Sequence, residues 1–403
     1  MRQAADRVDI LRALAGDLHS SQPYIADSRH AASNTTLMEK TPTTLSDFVR
    51  RTGGLLYPGQ STEFAINVSS ADDIIAGVNF AQENNIRIIV KNTGYEFLGR
   101  SSGEGALSLW THNLKPTTTI AKYTSPSYRG PAMRIGGGIT NIEMYIAAQA
   151  SGYRAVGAPI LRSGREVAIR KPVVSEHFRV FHSSVYGPLG STYGLGADQV
   201  LEYELVTATG KHIVASPSSP QYADLYWAVA GGGAGNYAII VSVAIDGFGT
   251  LWAFTAPGFQ LEYATLPGGS AQTISAALAP FFDEVAALNV TVVDKVASEH
   301  PDFLSRYSAW ATQSYNTNNS IGGRLIPRST VQRNLPALVA AFADITVNSS
   351  SVGGSAISGI LANVTHARVG NTPTSNSVLP AWRDALFTGN SADNQQRGPV
   401  SPN

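Results

Sequence analysis

Apolar and polar positions along this chain change period several times, and each change marks an element. Glu63 to Val68 reads as a short strand. Ser70, with Asp73 three residues on, has the spacing of a capping box, and Ile74, Ile75, Val78 and Ala81 form the buried stripe of the helix it opens. That helix stops at Asn84-Asn85 and feeds a strand from Arg87 to Val90. A second strand, around Ala132 to Ile135, runs into Gly136-Gly137-Gly138 and then a helix from Asn141 to Ser151. A helix over Asp224 to Val229 is followed by Gly231-Gly232-Gly233-Ala234-Gly235 and a strand over Ala238 to Ile245. From about Phe248, helical patterns (Thr273 to Leu288, Val331 to Ala343) alternate with strand-like segments (Thr291 to Val296, Gly322 to Ile326). Glycine turns set between strands and helices imply an α+β fold. The first 55 residues combine a short helical pattern at Val8, Leu11 and Leu14 with a loose polar arm from Ser28 to Thr44, so low order is expected there. The stretch 388–403 shows no periodicity and is expected to be disordered.

The segment 87–103 carries the densest candidate chemistry. An apolar strand runs there into a loop punctuated by Gly94 and Gly99, with Lys91, Asn92, Thr93, Arg100, Ser101 and Ser102 supplying charge and hydrogen-bond donors. Backbone N–H groups freed by glycine, beside basic and hydroxyl side chains, suit a phosphate-bearing ligand. The loop follows the carboxyl end of a strand, where ligands bind in open α/β arrangements. A plain polar turn is the alternative. None of the three glycine clusters has the Gly-x-Gly-x-x-Gly spacing directly between strand and helix, which argues against a Rossmann dinucleotide site. No Gly-x-Ser-x-Gly nucleophile elbow and no P-loop is present.

Composition narrows the classes further. The chain has 403 residues, 29 basic against 29 acidic, and no cysteine. Neutral overall charge gives no reason to expect nucleic acid or an anionic membrane as partner. Without cysteine there can be no disulfide, thiolate nucleophile or iron–sulfur cluster. No apolar run reaches the roughly 18 residues a membrane span requires. The charged N-terminus is not read as a secretory signal, and localisation stays open. His177 and His182 are five apart and do not share a helical face, so no metal site is expected.

Taken together, several motifs resemble the berberine-bridge-enzyme-like FAD-linked oxidases, the branch of the vanillyl-alcohol-oxidase superfamily with a PCMH-type FAD domain, common in fungi. They are Asn84-Asn85-Ile86-Arg87, Lys91-Asn92-Thr93-Gly94, Phe97-Leu98-Gly99-Arg100-Ser101, Trp110-Thr111-His112, Tyr193 to Val200, Asp224-Leu225-Tyr226-Trp227-Ala228 and Gly231-Gly232-Gly233, with Trp382-Arg383-Asp384 as a weaker continuation. The resemblance implies two α+β subdomains around an extended FAD and a substrate domain with an antiparallel sheet. It divides the chain into an N-terminal arm (1–54), an FAD-binding domain (55–247), an incomplete substrate domain (248–387) and a tail (388–403). It further implies FAD contacts from Asn92, Thr93, Gly94, Tyr95, Gly99, Arg100, Ser101, Ser102, Gly136, Gly138, Gly196, Asp198, Gly233 and Asn236. The implied activity is oxidation of a small alcohol, sugar or secondary-metabolite intermediate, with O2 as electron acceptor; the catalytic residues and oligomeric state are not implied.

Three departures qualify this. Tyr95 stands where the family carries the histidine bonded to the flavin 8α-methyl, so noncovalent FAD is expected. Over 158–186 the family has a cysteine and a glycine-rich turn, whereas residues 160–185 here hold five Arg or Lys against two Glu, which reads as a discontinuity in the gene model. The family's C-terminal segment beside the flavin ring is expected to be missing. The alternative is therefore a noncatalytic remnant with weak or no flavin.

Overall fold

The computed structural model describes residues 25–27, 62, 64–92, 101, 103, 105–153, 191, 194–233, 236–243, 250–255, 258–264, 266, 268–302, 304–306, 320–346 and 355–393. Within them lie three sheets, in keeping with the expected α+β class.

The first sheet joins β1 (Ile25–Asp27), β2 (Phe64–Asn67), β3 (Arg87–Lys91) and β4 (Ala106–Trp110) in the order β1-β2-β4-β3. β2 and β3 both run parallel to β4, and β1 pairs antiparallel with β2. Helix α1 (Ala71–Glu83) makes the crossover between β2 and β3. Its start is the expected capping box: Asp73 N–H donates to Ser70 Oγ at 3.2 Å, and Asp73 Oδ2 accepts from Ser70 N–H at 3.0 Å. The helix ends at Asn84, and Asn85 takes φ 50°, a left-handed value that asparagine tolerates. Ile74, Val78 and Ala81 are buried against Ile66, Leu107 and Leu109, with Ile75 half-buried beside them. Parallel strands place both loop exits, after Lys91 and after Trp110, on one edge.

The second sheet has the order β5-β6-β9-β7-β8, from β5 (Thr117–Thr124), β6 (Arg129–Gly136), β7 (Tyr203–Thr207), β8 (His212–Ala215) and β9 (Ala238–Val243), all antiparallel. Helices α2 (Asn141–Ala150) and α3 (Ala223–Val229) cover it. The third sheet, also antiparallel, has the order β11-β10-β13-β14-β12, from β10 (Thr250–Thr255), β11 (Gly258–Tyr263), β12 (Ser320–Pro327), β13 (Ser355–Leu361) and β14 (Ala385–Asp393). Helix α4 (Ala271–Ala287) follows β11, and α5 (Arg328–Thr346) follows β12 with a kink at Asn334, two residues before Pro336, which cannot donate to the helical ladder. Two short helices, α6 (His366–Val369) and α7 (Ala381–Asp384), fill the connection from β13 to β14. One core joins the second sheet to this connection: Ile135, Met144, Tyr145, Leu205 and Val229 share it with Ile360, Val364 and Val378.

Three expectations require correction. Residues 388–393, expected to be disordered, are the second half of β14, a central strand between β12 and β13. Backbone pairing on both sides and the bond from Ile360 N–H to Thr388 Oγ1 at 3.0 Å hold this polar segment, which needs no alternating apolar pattern. Thr291 to Val296 joins no sheet; it runs back along α4, where Glu299 Oε1 accepts from Ala271 N–H at 2.9 Å and Lys295 sits 3.9 Å from the Phe282 ring centre. Within the arm expected to have low order, Ile25–Asp27 is a strand on β2, while the helical pattern at Val8 to Leu14 and the polar arm 28–44 lie outside the described residues.

The turn after β6 tests the close packing between sheets. A side chain at Gly138 would run into the carbonyl oxygens of Thr111 and His112, which are backbone and cannot rotate away. Gly138→Ala should therefore lower stability by about 3 kcal/mol, whereas Gly322→Ala, with open space around it in β12, should be neutral or stabilising by about 0.5 kcal/mol. Urea unfolding of both variants measures this; equal midpoints would refute the packing argument.

Candidate functional site

The carboxyl edge of β3 and β4 gathers the first group of site residues. Asn92, directly after β3, is only 4% exposed, as is Ser101 where the loop returns. Three bonds hold Asn92: its Nδ2 donates to the Gly137 carbonyl at 3.3 Å, its Oδ1 meets His112 Nδ1 at 3.0 Å, and its carbonyl accepts from Trp110 Nε1 at 3.0 Å. Because a carbonyl only accepts, the Gly137 contact fixes the Asn92 amide orientation, and Oδ1 then requires a proton on His112 Nδ1. The His112 ring stacks on Trp110 with centroids 5.8 Å apart. Thus both Asn92 and Ser101 are buried, and Asn92 is anchored beside the Gly136–Gly138 turn. Thr93, Gly94, Tyr95, Gly99, Arg100 and Ser102 lie outside the described residues.

Charges next to this anchor are paired or silent. Lys115 Nζ donates to both carboxylate oxygens of Glu143 at 2.7 Å, and Glu143 also closes a capping box with Thr140 at the start of α2. Burial pushes the Glu143 carboxyl up, but the hydrogen bonds from Lys115 and Thr140 outweigh it and leave it below its usual range. Burial, helped by the nearby Lys115 ammonium and opposed by Glu143, pushes His112 down from 6.5 to about 4. The imidazole is neutral at physiological pH.

The second group surrounds Asp198. Gly196 and Asp198 lie in a single turn of 3-10 helix, Gly196–Gln199, entered from Gly194 and Leu195. The Asp198 carboxylate is completely buried, and five protein donors reach it: Leu195 N–H at 2.8 Å, Asn371 Nδ2 and Asn376 Nδ2 at 2.7 Å each, and Arg383 through Nη1 at 2.8 Å and Nη2 at 2.7 Å. Asp198 was expected to contact the cofactor; the acceptor positions of its side chain are filled by protein. The sequence reading missed Arg383, Asn371 and Asn376 as its partners, and the only signal was Arg383 inside the Trp-Arg-Asp continuation of the family pattern.

The third group is the turn after α3. Gly231 has φ +112°, and Val378 fills the space its side chain would need. Ser377 N–H donates to the Ala230 carbonyl at 2.9 Å, so the stretch 376–378 bridges this turn to Asp198. Gly233 completes the turn, and exposed Asn236 caps it, Nδ2 to the Gly232 carbonyl at 3.1 Å. Tyr226 is core, donating to the Val200 carbonyl at 2.7 Å, whereas Trp227 beside it is 44% exposed. At Gly136 and Gly138 an added side chain would meet the chain itself, Leu114 and Pro116 at Gly136 and the carbonyls of residues 111 and 112 at Gly138.

Asn92 at the carboxyl edge of β3, and the turns around Gly136–Gly138, Gly196 and Gly231–Gly233, are the described parts of the candidate site. No family-level sequence profile matches the chain. Individual relatives do. The FAD-linked oxidoreductase sthB of Phaeosphaeria nodorum is 33% identical over 292 residues, 62% of this chain and 88% of that one. The VAO-type flavoprotein oxidase VAO615 of Thermothelomyces thermophilus is 34% identical over 376 residues, 82% of this chain and 62% of that one. The crystal structure at pH 5.0 of the VAO-type flavoprotein MtVAO615 from Myceliophthora thermophila C1 superposes with a TM-score of 0.68 at 30% identity, covering 83% of this chain and 66% of that one. The chain belongs to the family of VAO-type FAD-linked oxidoreductases. It spans about 62% of the length of the VAO615 oxidase. Among the described residues no helix is long and apolar enough to cross a membrane, and no metal-ligand cluster occurs.

The lowered His112 pKa gives a signed prediction. An unfolded chain protonates this imidazole near 6.5 and the folded one near 4, so the unfolded state binds more protons between those values. The stability His112 contributes is full above about pH 6.5 and is lost as pH falls toward 4. His112→Gln should therefore flatten the fall in urea midpoint across that window; an unchanged slope would sink the assignment.

Proposed function

We propose that this chain is an FAD-dependent oxidoreductase that oxidises a small alcohol, sugar or secondary-metabolite intermediate and passes the electrons to O2. The observation that carries this is the loop entry: Asn92 is buried at the exit of parallel strand β3, and the segment from there to Ser101, itself buried, is rich in N–H and hydroxyl donors. That donor set fits a diphosphate: Asn92, Thr93, Gly94 and Ser101 to Ser102 would offer hydrogen bonds and Arg100 a charge-assisted pair. Bound FAD would supply the hydride acceptor, which no side chain of the protein can replace.

The chain's own residues set the manner of holding. Asn92 fixes the loop entry; Gly196 and the backbone of Gly233 lie in the two turns offered to the rest of the cofactor. Asp198 acts by holding its turn in place. Neutral His112 and paired Lys115 leave the charge of a diphosphate to be met by the loop. A 6-S-cysteinyl flavin bond cannot form in a chain with no cysteine, and Tyr95 replaces the histidine of the family pattern, so FAD is held noncovalently. A second reading, a remnant without turnover, draws on Tyr95 at the linkage position and on the basic stretch 160–185 where the family pattern has a glycine-rich turn.

Purification followed by a visible spectrum and acid precipitation separates these outcomes. The expected result is flavin absorbance that stays in the supernatant on precipitation. A yellow pellet would overturn noncovalent binding, and a colourless protein that ignores added FAD would overturn the flavoenzyme reading. Arg100→Ala should weaken FAD binding by about 2 kcal/mol, the contribution of a hydrogen bond to a charged group, as read by flavin fluorescence titration.

A further inference from the structure

The buried cluster around Asp198 joins parts of the chain far apart in sequence. Arg383 lies 185 residues beyond Asp198 in α7, immediately before the central strand β14 of the third sheet. Its side chain is 6% exposed and that of Asp198 0%. Its Nη1 also donates to the Val364 carbonyl at 3.0 Å, and its Nη2 to Asn376 Oδ1 at 3.3 Å. The fork therefore binds three segments at once: the Gly194 to Asp198 turn, the exit of β13 and the 376–378 stretch. That stretch in turn holds the other glycine turn, through Ser377 N–H and through Ser377 Oγ, which reaches the Ala228 and Ala230 carbonyls at 3.1 Å.

The geometry points to Arg383 as a positioning residue for the cofactor site: it ties both cofactor-side turns, 194–198 and 230–233, to the third sheet and holds them in the shape that receives FAD. The inference rests on the FAD reading above. Two features separate this role from plain stabilisation. A buried ion pair gains little net stability over an apolar substitute of the same shape, because both charges are taken from water. And the carboxylate is used on both oxygens by donors from three directions, so its orientation, with that of the turn carrying it, is set by all of them together. A lysine would keep the charge and lose the fork.

Hydrogen–deuterium exchange of the whole chain without flavin, paired with FAD titration by flavin fluorescence, tests this. Arg383→Met should raise exchange at 194–200 and 228–233, leave β3 and β4 unchanged, and weaken FAD binding about tenfold. Arg383→Lys should fall between Arg383→Met and wild type in both measurements. Should Arg383→Met fail to fold, Asn376→Ala, which removes one donor and keeps the ion pair, should show the same local pattern at smaller size. Arg134→Met, which breaks the half-exposed pair with Glu202, is the control and should change neither turn. Exchange that rises equally along the whole chain would make Arg383 a structural anchor only and overturn the inference. So would raised exchange at both turns with FAD affinity unchanged. A wild-type chain that takes no FAD overturns the functional reading and this inference with it, and the flavin-free exchange pattern shows which part failed.

Discussion

The buried pair of Asp198 and Arg383 is the constraint on which the arrangement of the second half of the chain depends. Removing either partner would strand a charge where no water reaches it, a loss of about 3–5 kcal/mol. Intact, the pair contributes little net stability, since desolvation offsets most of the attraction. What it supplies is geometry: one guanidinium fork and two amides define how the turn before β7 meets the connection between β13 and β14. The apolar core continues across the same junction, with Leu195 and Ala197 on one side and Val364 and Val378 on the other. A hydrophobic contact alone tolerates sliding; a saturated carboxylate inside it does not.

The first half of the site uses neutral contacts for the same purpose. Asn92 satisfies the indole of Trp110, the imidazole of His112 and the carbonyl of Gly137 with one side chain and its own carbonyl. Parallel pairing of β3 and β4 brings the exit after Lys91 and the exit after Trp110 to one edge, which sets Asn92 beside His112. The nearby Lys115 ammonium is paired with Glu143, and the nearby His112 imidazole is kept neutral by burial.

Local rules made much of this legible. The capping box at Ser70, the stripe on α1, the Asn85 stop and the strands around each glycine turn are set within a few residues, and all stand where the sequence placed them. Thr140 and Glu143 had the same capping spacing and were overlooked. What escaped depends on partners distant along the chain. The strand character of 388–393 comes from being flanked by β12 and β13, whereas the strand-like Thr291 to Val296 joins none of the sheets. Asp198 looked like a ligand for a cofactor because its partner lies 185 residues away.

Glycine clusters drew attention first, yet the structure gives two of them a reason that involves no ligand. Gly138 is required by the carbonyls of Thr111 and His112, and Gly231 by Val378 together with its left-handed φ. A glycine-rich turn therefore marks close approach, and what approaches can be the chain itself. The flavoprotein assignment does not rest on those glycines. It rests on the 33% identity across 88% of an FAD-linked oxidoreductase, beside a donor-rich stretch that leaves the carboxyl end of a parallel strand at buried Asn92. By the same logic, the residues that decide how well such a chain holds its cofactor include ones that never touch it, because turns packed this tightly against their neighbours take their shape from those neighbours.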